Sequence, residues 1–131
     1  MSVLVGKSAP DFTAPAVMPS GEIVEDFKLS DRKGKYIVLF FYPLDFTFVC
    51  PTEILAHNRR MDAFNQRGVE VIGISIDSQF THFAWRNTSV KEGGIGPVQF
   101  PMVADVKHAI TSAFGIEHPG AGVALRASFL I

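Results

Sequence analysis

An α/β domain is what the sequence predicts, and three stretches carry that prediction. Residues 36–42 (YIVLFFY) form an unbroken run of β-formers without polar alternation, the pattern of a strand covered on both faces. Residues 51–67 follow with apolar positions at imperfect helical spacing, and residues 69–76 (VEVIGISI) read as a second buried strand. Strand, crossover helix of roughly fifteen residues and strand make a right-handed βαβ unit with parallel strands.

The remaining elements follow in order. Pro10, Pro15, Pro19 and Gly21 punctuate the opening segment and exclude long helices. Residues 23–29 can pair as an edge hairpin across the Pro19-Ser20-Gly21 turn, and the polar stretch 30–35 ends it. Pro51 suits the first helical position, Ile54, Leu55, Asn58, Met61, Asp62 and Phe64 form the helical stripe, and Gly68 fits the C-terminal cap. Residues 79–89 predict another helix. Residues 92–97 must be a loop, because three glycines and a proline in that stretch support neither regular structure. A short strand over 100–105, a helix over 106–114 ended by Gly115, and a final strand over 122–131 complete the expectation. With no internal repeat or linker, residues 1–131 read as one domain. The chain ends on Phe129-Leu130-Ile131, an apolar ending expected of a chain cut short or of a strand covered by something beyond it.

Composition narrows the function classes. Hydrophobic residues make up 47% and charged ones 19%, which excludes a disordered chain. Twelve basic and thirteen acidic side chains, scattered singly, leave a charge of −1 and no electrostatic footprint for nucleic acid or an acidic membrane. The longest apolar run, 36–44, is about half a membrane span and contains Pro43. The opening residues are too short for a signal-peptide core, so a soluble, cytoplasmic domain is expected. Cys50 is the single cysteine and cannot form an internal disulfide, and His57, His82, His108 and His118 show no ligand spacing. Neither a metal nor a cofactor is expected.

Cys50 stands just after a buried strand and at the start of a helix. Unpaired N–H groups and the positive end of the helix dipole favour an anion there, which makes Cys50 a candidate nucleophile acting as thiolate. A lone cysteine is otherwise most often a buried structural thiol. The surrounding segment tips the balance. Residues 42–53 (YPLDFTFVCPTE) resemble, nearly residue for residue, the active-site segment of the peroxiredoxins, in particular the typical two-cysteine, alkyl hydroperoxide reductase C-like group. The family's Pro-x-x-x-Thr-x-x-Cys signature falls on Pro43, Thr47 and Cys50. Residues 9–12 (APDF), 75–78 (SIDS), 82–85 (HFAW) and Leu125-Arg126 are similar to that group too, and residues 92–97 resemble its Gly-Gly-Leu-Gly loop with Ile95 at the leucine position.

The resemblance implies a thioredoxin-like fold in its peroxiredoxin variant, a central mixed sheet flanked by helices with an added N-terminal β-hairpin. It implies a thiol-dependent peroxidase that reduces hydrogen peroxide or alkyl hydroperoxides, with Cys50 oxidised to sulfenic acid. In that reading the Thr47 hydroxyl and the Cys50 N–H hold the peroxide oxygens, Arg126 stabilises the thiolate and the leaving oxygen, Pro43 shields the site and Glu53 orients the arginine. Thioredoxin or a dedicated flavoprotein reductase would return the electrons, and a homodimer or ring of dimers would be the working state. Taken singly, Thr47 could merely satisfy a turn and Glu53 merely complement the helix dipole. Arg126, placed in the apolar last strand, favours a site role because arginine is rarely buried without a partner. His57 and Tyr42 read as packing or surface residues. Phe46, Phe48, Phe80 and Trp85 suit either core or a subunit interface. Asn87-Thr88-Ser89 matches a glycosylation sequon by chance.

One departure stands out. Typical members carry a second, resolving cysteine nearer the C-terminus, and these residues contain none. A truncated two-cysteine enzyme is the favoured expectation, with a one-cysteine cycle using an external thiol as the other. A redox sensor and a chaperone-like oligomer are the functional alternatives, whereas a disulfide oxidoreductase is disfavoured because Cys50-Pro51-Thr52-Glu53 lacks the second cysteine of Cys-x-x-Cys.

Overall fold

A computed structural model describes residues 4–47 and 50–131. Six strands, β1 (Thr13–Val17), β2 (Ile23–Lys28), β3 (Tyr36–Phe41), β4 (Val69–Ser75), β5 (Met102–Ala104) and β6 (Ala127–Leu130), form one sheet in the order β2-β1-β5-β4-β3-β6. Strands β3, β4 and β5 are parallel, while β1, β2 and β6 join antiparallel, so the sheet is mixed and thioredoxin-like. The helices are α1 (Cys50–Arg59), α2 (Met61–Gln66), α3 (Gln79–Arg86) and α4 (Ala109–Ala113). The expected βαβ unit is present, with β3 and β4 registered from Tyr36↔Val69 to Phe41↔Ile74. The N-terminal hairpin is β1 with β2.

The absence of alternation in β3 has a direct cause. Side chains alternate across a strand, and each face of this sheet meets its own apolar layer. Ile37, Leu39 and Phe41 pack with Ile72, Ile74, Val103, Ile110 and Phe114. Phe40 and Tyr42 pack on the opposite face with Ile54, Val71, Trp85 and Met102, and Cys50 belongs to that second layer.

Three expected elements change on folding. The helix over 51–67 is broken at Arg60 (φ −100°, ψ 6°), where the Arg60 N–H closes a tight turn on the His57 carbonyl at 3.1 Å. Asn58, an odd member of the apolar stripe, uses its side-chain oxygen to accept the Gln99 N–H at 2.8 Å. The helix expected from 106 starts at Ala109 instead. Asp105 caps it by accepting from the N–H groups of Ile110 and Thr111, and His108 precedes it in the left-handed region at φ 60°. The last strand is shorter than expected. The N–H of Leu125 donates to Ile116 and that of His118 to Val123, so the chain before Arg126 pairs back on itself rather than on β3. Helix α3 and strand β5 keep their places with trimmed ends. Among the described residues, no helix is long and apolar enough to cross a membrane.

Candidate active site

The parallel strands β3 and β4 deliver their C-terminal ends to one edge of the domain. Tyr42 still donates its N–H to Ile74 at 3.1 Å, after which the chain turns through Pro43 and enters α1 at Cys50. Pro51 follows as the second helical residue, where its missing N–H costs nothing. The Cys50 side chain is buried in the second apolar layer, 1% exposed.

From just before β6, Arg126 reaches across to the same helix. Its Nη2 donates to Cys50 Sγ at 3.5 Å and its Nη1 pairs with Glu53 Oε1 at 2.5 Å. Residues three apart lie on one face of a helix, which is how Glu53 and Cys50 share one guanidinium. Burial works against the arginine's charge, but the sulfur and Glu53 outweigh it and hold the guanidinium above its ordinary value. Arg126 corrects one expectation: it sits just before β6 and its side chain is 40% exposed, so the case for a site role rests on its partners and not on burial.

Cys50, Glu53 and Arg126 are thus brought together by contacts 73 and 76 residues long in sequence. Thr47 lies in the preceding loop, half-buried, with its hydroxyl donating to the Leu44 carbonyl at 3.0 Å, and Pro43 is half-buried where that loop begins. Phe48 falls outside the described residues. Beside α1, a cleft of about 240 Å³ is lined by Phe40, Glu53, His57, Arg126 and Ser128. His57 stacks on Phe40 with centroids 4.1 Å apart and donates Nδ1–H to the Glu53 carbonyl at 2.7 Å, a packing role as expected. A larger cleft of about 560 Å³, lined by Phe12, Ala14, Ile110 and Phe114, shares no residue with the cluster.

Sequence reasoning missed a second polar group under the loop. Tyr42, expected at the surface or in packing, is fully buried and donates its hydroxyl to Asp45 Oδ1 at 2.7 Å. Asp45 Oδ2 lies 2.6 Å from His82 Nδ1, and His82 Nε2 lies 3.0 Å from the Val103 carbonyl. Burial alone would lower the His82 value, yet Asp45 and the carbonyl raise it above that of a free imidazole. Asp45 is raised chiefly by burial, with His82 and Tyr42 opposing. A signal was available: in Gln79–Arg86 the residues His82, Trp85 and Arg86 share one helical face, and a polar side chain on a buried face needs a partner. Trp85 itself is core, its ring N–H donating to Gly93, whereas Phe46 and Phe80 are exposed.

A sulfur next to a guanidinium that is itself fixed by a carboxylate can hold negative charge, and the same fork can stabilise an oxygen anion formed beside it. Among the described residues, no cluster of three or more His, Cys, Asp or Glu side chains could hold a metal.

Comparison with known proteins points the same way. Residues 5–131 match the model of the AhpC/TSA family. The chain is 54% identical over 130 residues to alkyl hydroperoxide reductase C of Buchnera aphidicola, covering 98% of this chain and 66% of that protein. It is 54% identical to peroxiredoxin-1 of Gallus gallus, covering 97% of this chain and 63% of that one. The reduced 2-Cys peroxiredoxin of Plasmodium vivax superposes with a TM-score of 0.93 at 42% identity, over 99% of this chain and 67% of that one. The chain therefore spans just under two thirds of the length of the curated relatives it matches.

Proposed function

The chain belongs to the AhpC/TSA family of peroxiredoxins, and on that premise we propose that it carries the peroxide-reducing half of a thiol-dependent peroxidase. The observation that carries the reading is the Arg126 fork, with one nitrogen 3.5 Å from Cys50 Sγ and the other on Glu53. The Cys50 thiolate attacks one oxygen of hydrogen peroxide or an alkyl hydroperoxide. An S–O bond forms as the O–O bond breaks, sulfur is oxidised to sulfenic acid, and the departing oxygen leaves as hydroxide or alkoxide and takes up a proton. Arg126 lies where it can support charge first on sulfur and then on the departing oxygen. Glu53 orients Arg126, the Thr47 hydroxyl and Cys50 N–H hold the peroxide, and Pro43 limits water.

With one cysteine in these 131 residues, the thiol that reduces the sulfenic acid comes from outside them. Two electrons from thioredoxin, or from a flavoprotein reductase, then return Cys50 to the thiol and release water. Residues 1–131 form a single domain in this reading, working in the cytoplasm as a homodimer or ring of dimers. Stopped-flow mixing with stoichiometric hydrogen peroxide, followed by dimedone trapping and mass spectrometry, tests the reaction. One oxygen added at Cys50, trapped by dimedone, is the expected result; a thiol left unmodified would refute the proposal.

A further inference from the structure

The loop between β3 and the thiol helix is fastened from below by a buried ion pair that the proposed reaction does not itself use. Asp45 is the fixed point. Its N–H donates to Asp77 Oδ2 at 2.8 Å, its Oδ1 accepts from the Tyr42 hydroxyl at 2.7 Å, and its Oδ2 meets His82 Nδ1 at 2.6 Å. Asp77 is in turn held by the Ser75 hydroxyl at 2.6 Å. The next residue, Phe46, adopts φ 57°, a left-handed conformation that a bulky side chain keeps only when its neighbours enforce it. Thr47 comes one residue later.

The hydrogen bonds also settle the proton count. The Val103 carbonyl can only accept, so His82 Nε2 carries a hydrogen. Burial raises Asp45, but the Tyr42 hydroxyl and His82 both favour its carboxylate; with Asp45 ionised, the Nδ1 contact requires a second ring proton. The side chains of His82 and Asp45 are both fully buried, so no solvent can replace this bond. The groups facing the imidazole are Asp45 and Tyr42 from the loop after β3, Asp77 after β4 and the carbonyl of Val103 in β5.

We propose that His82 is a positioning residue for the Cys50 reaction: as a buried imidazolium it grips Asp45 and thereby holds the Pro43–Thr47 loop in its strained, peroxide-binding shape. This rests on the peroxidase reading above. Loss of the Nδ1 proton would leave a lone pair facing a carboxylate, releasing Asp45, relaxing Phe46 and displacing Thr47 from the position it needs.

The test is a set of variants in the full chain. Asp45→Ala and His82→Gln are expected to slow oxidation of Cys50 by hydrogen peroxide about 10–100-fold, the scale of a small misplacement in a site. In Asp45→Asn the amide can donate to a neutral His82 and still accept from Tyr42, so its rate is expected to stay within about threefold of wild type, one hydrogen bond replacing another. The wild-type rate should fall on the alkaline side as the pair loses its proton, and Asp45→Asn should lack that fall. Nitrogen-15 spectra near neutral pH should show both His82 ring nitrogens protonated in wild type and only Nε2 protonated in Asp45→Asn. A bare Nδ1 in wild type, a folded Asp45→Ala that reacts at the wild-type rate, or the same alkaline fall in Asp45→Asn each overturns the proposal. Should Asp45→Ala fail to fold, the Asp45→Asn pH profile and the nitrogen spectra still decide. If wild-type Cys50 does not react with peroxide, the peroxidase reading fails instead. The loop is then followed by fluorescence of Trp85, whose ring lies 5.8 Å from that of Phe46 and 6.1 Å from that of Tyr42. A change on His82→Gln is expected, and none would overturn the grip on the loop.

Discussion

Cys50 Sγ is buried, and Arg126 is the charged group that both touches it and reaches toward solvent. Arg126→Ala is therefore expected to cut the rate of Cys50 oxidation about 10²–10³-fold, the cost of removing one donor to a developing oxyanion, as measured by stopped flow. Arg126→Lys should recover only part of that rate, because an ammonium cannot serve Sγ and Glu53 with a planar fork. A different residue tests packing. A Cβ at Gly73 would come within 2.9 Å of the Phe40 ring and 3.4 Å of Phe100. Gly73→Ala should destabilise the fold by about 1–3 kcal/mol in urea unfolding, through overpacking. Cys50 at a helix start was legible in the sequence, and its grouping with Glu53 and Arg126 matches what the family resemblance implied. The Asp45–His82 pair was not legible, since a histidine on a buried helix face signals the need for a partner but not which residue, here 37 positions away, supplies it.

Among the elements, α1 carries the site and its seat on the sheet holds it there. Ile54, wholly buried one turn beyond Cys50, is the anchor of that seat. Ile54→Ala should cost about 2–5 kcal/mol by urea denaturation, the range for truncating a buried aliphatic side chain. Helix α3 does a complementary task on the same face of the sheet, where Trp85 shares the apolar layer of Ile54 and Cys50. Besides His82 and Trp85 it buries Arg86, whose Nη2 donates to the carbonyls of Pro19 at 2.8 Å and Val98 at 3.1 Å, tying the hairpin turn to the loop after the glycines. Periodicity located both helices but not the break at Arg60 or the late start of α4. The break goes with a turn of the Arg60 N–H on the His57 carbonyl and the late start with Asp105 capping Ile110 and Thr111, interactions that a hydrophobic stripe does not encode.

For the molecule as a whole, the buried pair predicts how stability follows pH. His82 is raised in the folded state, so its contribution is fully present below the ordinary imidazole value and is lost as pH rises through the raised one. Urea midpoints measured across this range should decline on the alkaline side for wild type, and the decline should flatten in Asp45→Asn. The sequence by itself determined the α/β class, the βαβ unit and the candidate sulfur, because strand and helix periodicity and the helix-start position of a cysteine are short-range properties. Tertiary structure alone decided what surrounds that sulfur. Antiparallel pairing of β6 on β3 delivers Arg126 to Cys50, and the meeting of three strand ends with α3 buries a histidine beside an aspartate. Both outcomes follow from satisfying buried charge and backbone groups across long stretches of chain, which no local pattern records.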